Sequence, residues 1–122
     1  MTFGRISLDG ALVIAPRAER IDMSNADAFK DALLEALAFT SKVLIVDLAS
    51  VDYISSAGLR SLMIAFKAAK ADQKTVAVAA LRPLTREIFT ISRFDIVFTL
   101  FDNVRDAIVG LAPKAVAEFD AL

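Results

Sequence analysis

Short runs of apolar residues alternate with longer amphipathic segments along this chain, a pattern typical of strands that take turns with helices. Five runs have the length and composition of strands: Ile6–Leu8, Ala11–Ile14, Val43–Leu48, Thr75–Ala79 and Val97–Leu100. The first two flank Asp9-Gly10, a favoured pair for a tight turn, and therefore predict an opening hairpin. The third begins with four apolar residues in succession, as in a central strand covered on both faces.

Four segments have the residue spacing of helices. The first begins near Ser24, where Asp27 three residues later gives a start like a capping box. Its buried stripe consists of Phe29, Leu33, Ala36 and Leu37. The other three helices follow Ser55 and Ser56, begin at Pro83, and follow Asn103 as far as Gly110 and Pro113. Strands and helices together predict an α/β fold in which helices cover a mixed sheet and the hairpin lies at one side.

The junction between the central strand and the second helix has the most distinctive residues. Ser55 and Ser56 lie where an N-cap belongs, and the plainest interpretation of Ser56 is that it only caps the helix. Gly58 falls in the first turn, where glycine costs about 1 kcal/mol relative to alanine, which indicates close backbone approach by another group. A phosphate on Ser56 would meet the free N–H groups and the positive end of the helix. Modification of this hydroxyl is therefore a second hypothesis.

The segment Asp52-Tyr-Ile-Ser-Ser-Ala-Gly-Leu-Arg60 closely resembles the signature of STAS domains, specifically of the single-domain bacterial anti-sigma factor antagonists. Two further stretches agree. Arg20–Ala26 is similar to the loop that opens the first helix, and Arg82–Phe98 is similar to the third helix and the edge strand after it. The resemblance implies a STAS fold over residues 1–112, with a mixed sheet and about four helices packed mostly on one face. Residues 113–122 would form a C-terminal tail whose mildly amphipathic pattern is compatible with a helix.

The same resemblance implies a function. It is that of an anti-sigma factor antagonist, which binds an anti-sigma factor in a partner-switching pathway. The partner would be a serine kinase of the histidine-kinase-like ATPase type, and a PP2C-type phosphatase would reverse the phosphorylation. Ser56 matches the phosphorylated serine of the family. The implied partner-binding residues are Asp22, Ser24, Asn25, Ser55, Ser56, Ala57, Gly58 and Arg60.

Three positions depart from the family pattern. Ser55 stands where many members carry Asp, Ala57 where many carry Ser or Thr, and Glu19 where the first loop usually has Gly. Ser55 is therefore a second candidate phosphate acceptor. The departures also keep an alternative function open, that of a STAS accessory subunit or scaffold without a phosphoserine, for example in an ABC-type lipid or anion transport system.

The composition of the chain argues for a single domain and against several classes of protein. The 122 residues are 57% apolar, which suits one domain with one core. The formal charge is −1, from 14 basic and 15 acidic residues without a Lys/Arg-rich block, which argues against a nucleic-acid partner. No apolar run approaches the roughly 20 residues that span a bilayer, and Met1–Arg5 does not begin a signal peptide. We therefore expect a cytoplasmic protein that does not insert into membranes.

Catalytic and metal chemistry find little support in the sequence. The absence of Cys and His removes thiol nucleophiles, imidazole bases and the usual ligands of zinc and copper. A nucleophilic serine would need Lys67, Lys70 or a distant carboxylate as its base. Asp22, Asp47 and Asp52 are conceivable ligands of a hard metal, but carboxylates at strand ends and turns are far more often solvated or capping. We expect a protein that is not an enzyme and has neither cofactor nor metal.

Overall fold

Seven strands form two sheets in the computed structural model of the protein, which describes residues 1–40 and 42–122. The strands, in chain order, are β1 (Thr2–Leu8), β2 (Ala11–Arg17), β3 (Arg20–Ile21), β4 (Val43–Asp47), β5 (Tyr53–Ile54), β6 (Thr75–Ala79) and β7 (Thr99–Phe101). The main sheet has the order β1-β2-β4-β6-β7, and β3 pairs with β5 in a separate ribbon. Only the β1–β2 pair of the main sheet is antiparallel, so the sheet is mixed as predicted.

The opening hairpin is confirmed and is longer than its hydrophobic pattern indicated. Its register pairs Leu8 with Ala11 at the turn and Thr2 with Arg17 at the open end. Gly10 takes a left-handed backbone conformation, with φ of 81°, which glycine adopts without strain. The Asp9-Gly10 pair therefore acts as the sequence predicted.

Helices cover both faces of the main sheet, and most of them lie on one face. They are α1 (Ala26–Phe39), α2 (Ser56–Ala71), α3 (Pro83–Ile91), α4 (Phe94–Val97), α5 (Val104–Leu111) and α6 (Val116–Asp120). Leu44 and Val46 of β4 point to the face covered by α1 to α3, where they belong to one apolar cluster with Phe29 and Leu62. The opposite face packs against α5 through Ile108. This arrangement confirms the predicted α/β fold.

The start of α1 differs from the prediction. The helix begins at Ala26 rather than near Ser24, and no capping box with Asp27 forms. The reason is that the hydroxyl of Ser24 donates to Asp22 Oδ1 at 2.6 Å instead of turning toward the helix. Asn25 takes the N-cap position without a side-chain bond to the helix.

The predicted position of the last strand is also wrong. We predicted it at Val97–Leu100, but residues 94–97 form the single turn α4 and the strand spans Thr99–Phe101. The turn lets Phe94 pack beside Phe89 and Phe98, with ring centroids 6.0 and 5.8 Å away, in an aromatic cluster under α3. Packing of the partly buried Phe94 and the buried Phe98 therefore moves the start of the strand to Thr99.

The C-terminal segment packs on the second face of the sheet. A 3-10 turn at Pro113–Ala115 buries Ala115 and leads into α6. Arg105 donates two hydrogen bonds of 3.0 Å to the Asp120 carboxylate, and Glu118 accepts one of 3.0 Å from the backbone of Asp9. The boundary of the STAS domain at residue 112 stays a prediction.

Candidate functional site

The β3–β5 ribbon places the first loop beside the start of α2. Its strands run parallel, with Arg20 opposite Tyr53 and Ile21 opposite Ile54. The ribbon continues through a hydrogen bond of 2.8 Å from the Ser55 N–H to the Ile21 carbonyl. Residues 22–25 and 55–60, which are far apart in the sequence, therefore leave the ribbon side by side.

The loop at residues 22–25 is held by its own side chains. Asp22 Oδ1 accepts hydrogen bonds from the backbone N–H of Ser24 at 2.9 Å and from its hydroxyl at 2.6 Å. These bonds, and the nearby charge of Arg20, hold the pKa of the Asp22 carboxyl below its usual range. Asn25 fixes the loop from within, because its side chain accepts from the Asp22 N–H and donates to the Arg20 carbonyl, both at 2.9 Å.

The two serines at the start of α2 have different roles. Ser55 is the N-cap, in extended backbone conformation, and its hydroxyl accepts a hydrogen bond of 3.4 Å from the Gly58 N–H. Ser56 is the first residue of the helix and is exposed. The interpretation of Ser56 as the N-cap is therefore wrong, since Ser55 has that role and is half-buried.

Gly58 is buried, and side chains of the protein itself leave no room for a larger residue there. A Cβ atom at this position would lie 2.6 Å from Ile54 Cγ1 and 2.8 Å from Ile21 Cγ2. Both isoleucines are fully buried ends of the ribbon strands. The group that approaches the Gly58 backbone is thus the protein's own ribbon, and Gly58 shapes the site from beneath.

The remaining predicted residues reach the surface. Ser24, Ser56 and Arg60 are exposed, and Asp22 and Ala57 are half-buried. We refer to these five residues as the candidate surface. Asn25 and Ser55 are also half-buried, but their side chains are engaged in hydrogen bonds that support the surface, and Gly58 is buried beneath it.

A groove of about 170 Å³ between α1 and α2 adjoins this surface and contains residues that the sequence analysis missed. Met23 and Ile64 line it, and the Met23 side chain is 87% exposed. An apolar side chain between the polar residues Asp22 and Ser24 was the available signal for Met23. At the base of the groove, the buried Ser61 hydroxyl donates to the Ala26 carbonyl at 2.9 Å and so joins the two helices.

Charged groups near the ribbon are mostly paired. The Arg20 guanidinium lies 4.5 Å from the centroid of the Tyr53 ring. Arg82 pairs with Asp52 at 2.7 Å and also donates to the Ala49 carbonyl. Asp47 accepts from the Ala49 N–H, as a capping carboxylate does. No three His, Cys, Asp or Glu side chains in residues 1–40 and 42–122 are grouped as a metal site would require.

Comparison with known proteins assigns the family. The family model of the STAS domain matches residues 6–107. BtrV of Bordetella bronchiseptica, named as an anti-sigma factor antagonist, is 31% identical over 100 residues, which cover 82% of this chain and 84% of BtrV. The anti-sigma-F factor antagonist RsfB of Mycobacterium tuberculosis is 31% identical over 104 residues, which cover 84% of this chain and 83% of RsfB.

A solved structure agrees with these relatives. The crystal structure of an anti-sigma factor antagonist from Mycobacterium paratuberculosis matches with a TM-score of 0.80 at 26% identity, over 90% of this chain and 92% of that one. Within the described residues, no helix has the length and hydropathy to span a membrane. The matched residues include the whole ribbon, the first loop and α2. The chain therefore belongs to the STAS domain family, in which its relatives include proteins named as anti-sigma factor antagonists.

Proposed function

We propose that this protein is an anti-sigma factor antagonist whose candidate surface binds an anti-sigma factor. The observation that carries the proposal is the position of Ser56, exposed at the first residue of α2 and beside the hydrogen-bonded loop that contains Asp22 and Ser24. The relatives named as anti-sigma factor antagonists support the same function. A role in controlling a sigma factor would be carried out in the cytoplasm.

Ser56 is the proposed phosphate acceptor, with Ser55 as the weaker candidate. A kinase needs a hydroxyl that it can reach, and Ser56 is exposed whereas Ser55 is half-buried. The Ser55 oxygen is also engaged with the Gly58 N–H. Phosphorylating Ser55 would disturb the cap of α2, but phosphorylating Ser56 leaves that cap in place.

The partner that fits this scheme is an anti-sigma factor that is also a serine kinase of the histidine-kinase-like ATPase type. It would bind the unphosphorylated protein and phosphorylate Ser56, and a PP2C-type phosphatase would restore the binding form. The phosphate adds about −1.5 to −2 charge. In the free protein this charge lies at the positive end of a helix, but in a close complex it becomes a buried charge for which the anti-sigma factor provides no partner, which costs several kcal/mol.

We infer that the protein acts by binding rather than by catalysis. A nucleophilic serine needs a base within hydrogen-bond reach. In the part of the chain that the structure describes, the hydroxyl of Ser56 has no such partner. The charged residue nearest to it on the same helix face is Arg60, whose guanidinium has hydrogen-bond donors and no acceptor.

Co-purification tests the proposed function. The protein is incubated with the anti-sigma kinases encoded in its own genome, first without nucleotide and then with ATP and Mg²⁺. We expect one kinase to form a complex that dissociates as phosphate appears on the peptide containing Ser56. Recovery of transporter subunits instead, with no phosphopeptide, would contradict the proposal and favour the scaffold function.

A further inference from the structure

The exposed face of α2 continues from Ser56 to Arg60. Ser56, Arg60, Ile64 and Lys67 are exposed, whereas Leu59, Ser61, Leu62 and Ala65 are buried. Residues four apart on a helix are neighbours, with Cβ atoms about 5–6 Å apart. Long side chains on a helix also lean toward its N-terminus. The Arg60 side chain therefore has the reach to meet a phosphate on Ser56, and in the unmodified protein it lines the groove together with Ala57.

Arg60 has no counter-ion in the described part of the chain, whose ion pairs all involve other residues. The neighbouring cation Lys30 has Asp27 and Asp31 within 3.8 Å, and Arg20 stacks on Tyr53. The first turn of α2 also contains no acidic residue. A cation near the positive end of a helix is unfavourable without a negative charge close by. The first turn of α2 thus has no carboxylate of its own to pair with Arg60, and the Asp27 carboxylate that shares the groove lies beside Lys30.

We propose that Arg60 is the intramolecular counter-ion of a phosphate on Ser56. This inference rests on the proposed function, since it concerns the modified form of the same site. The planar guanidinium forms two parallel hydrogen bonds with a phosphate, which suits a partner four residues away on the same face. The pair fixes the phosphate against the helix and neutralises part of its charge. Arg60 is then no longer available to bind a carboxylate of the partner.

The test uses phosphoserine placed at position 56 during translation with an expanded genetic code, so that no kinase is required. Phosphorus NMR follows the second ionisation of the phosphate, whose ordinary pKa is about 6. A nearby cation favours the dianion and lowers the pKa. Arg60→Gln should therefore raise the pKa by about 0.15–0.4, which is the strength of an i,i+4 pair divided by about 1.36 kcal/mol per pKa unit. Arg60→Lys should keep part of the lowering.

Lys67→Gln is the matched control, because it removes the same charge from the same helix face. Position 67 lies roughly 16 Å further along the helix axis at about 1.5 Å per residue, beyond the screening distance in physiological salt. We expect this variant to titrate like the wild type. If Arg60→Gln and Lys67→Gln titrate alike, Arg60 is not the counter-ion. That result would leave the proposed function intact, because binding and kinase phosphorylation are measured separately.

Discussion

The hydroxyl oxygen of Ser55 accepts a hydrogen bond from the backbone N–H of Gly58, and the next residue, Ser56, begins α2 with an exposed side chain. Two adjacent serines of the same motif thus have separate structural positions. One supports the helix, and the other faces the solvent.

The first prediction separates these two serines. Ser55→Ala removes the N-cap and should lower the free energy of unfolding by about 0.5–2 kcal/mol, while phosphate incorporation continues at Ser56. Ser56→Ala should change that free energy by less than about 0.5 kcal/mol and abolish phosphorylation. Urea denaturation and phosphopeptide mapping on both variants provide the comparison. A phosphate recovered on Ser55 in the wild type would reverse the assignment.

The second prediction concerns Gly58. Gly58→Ala should destabilise the protein by about 1–3 kcal/mol, because the added Cβ overlaps Ile54 and Ile21 in a packed core. Any loss of partner binding would then follow from displacement of the ribbon. Denaturation of the isolated protein measures the effect, with Ala57→Gly, at the preceding position of the helix, as a control that should cost no more than about 1 kcal/mol. A Gly58→Ala variant with wild-type stability but weak binding would place a partner against Gly58 instead.

The third prediction concerns Asp22. If its carboxylate meets a donor of the anti-sigma factor, Asp22→Ala should weaken binding by about tenfold or more, since truncating a charged partner of a hydrogen bond leaves the other group unpaired. Ser24→Ala removes the 2.6 Å bond that orients the carboxylate and should have a smaller effect. Titration calorimetry, with circular dichroism to confirm folding, measures both. Equal affinity in wild type and both variants would place the interface elsewhere.

The fourth prediction concerns the C-terminal segment. Deletion of residues 113–122 removes Ala115, Val116 and Phe119 from the apolar cluster around Ile108 on the second face of the sheet and should cost about 2–4 kcal/mol of stability. A truncated chain of unchanged stability would make residues 1–112 a self-sufficient domain.

The same segment predicts a dependence on pH. The pKa of Asp120 is lowered by its bonds with Arg105, so the pair stabilises the fold above the ordinary pKa of a carboxyl. This contribution is lost as pH falls through the lowered value. Asp120→Asn should therefore reduce the loss of stability in acid by the contribution of this pair, as thermal melts of the variant and the wild type from pH 7 to pH 2 would reveal.

The sequence correctly predicts the strands and helices in which the local residue preferences agree with the burial that the fold gives them. The Asp9-Gly10 hairpin, the strand Thr75–Ala79 and the Pro83 helix start are all confirmed. The errors occur where tertiary contacts override a local preference. Ser24 bonds to Asp22 instead of capping α1, and packing of the partly buried Phe94 on Phe89 and Phe98 moves the start of the last strand to Thr99.

The residues of the candidate surface could be identified from the sequence motif, but their arrangement in space could not. Nothing in the spacing of residues 52–60 distinguishes the capping serine from the exposed one, because that depends on the hydrogen bond that ends the β3–β5 ribbon at Ser55. The reason for Gly58 was likewise hidden, since it depends on Ile21, which belongs to another part of the sequence.

The central claim is that a phosphate on Ser56 controls partner binding without unfolding the protein. Titration calorimetry with the anti-sigma kinase, on phosphorylated and unphosphorylated samples whose thermal melts are also recorded, tests it most directly. We expect the phosphoprotein to bind at least tenfold more weakly, about 1.4 kcal/mol, with a change in folding stability far below the several kcal/mol of an unpaired charge in a core. Unchanged affinity in the phosphoprotein, or a collapsed melting transition, would contradict the account.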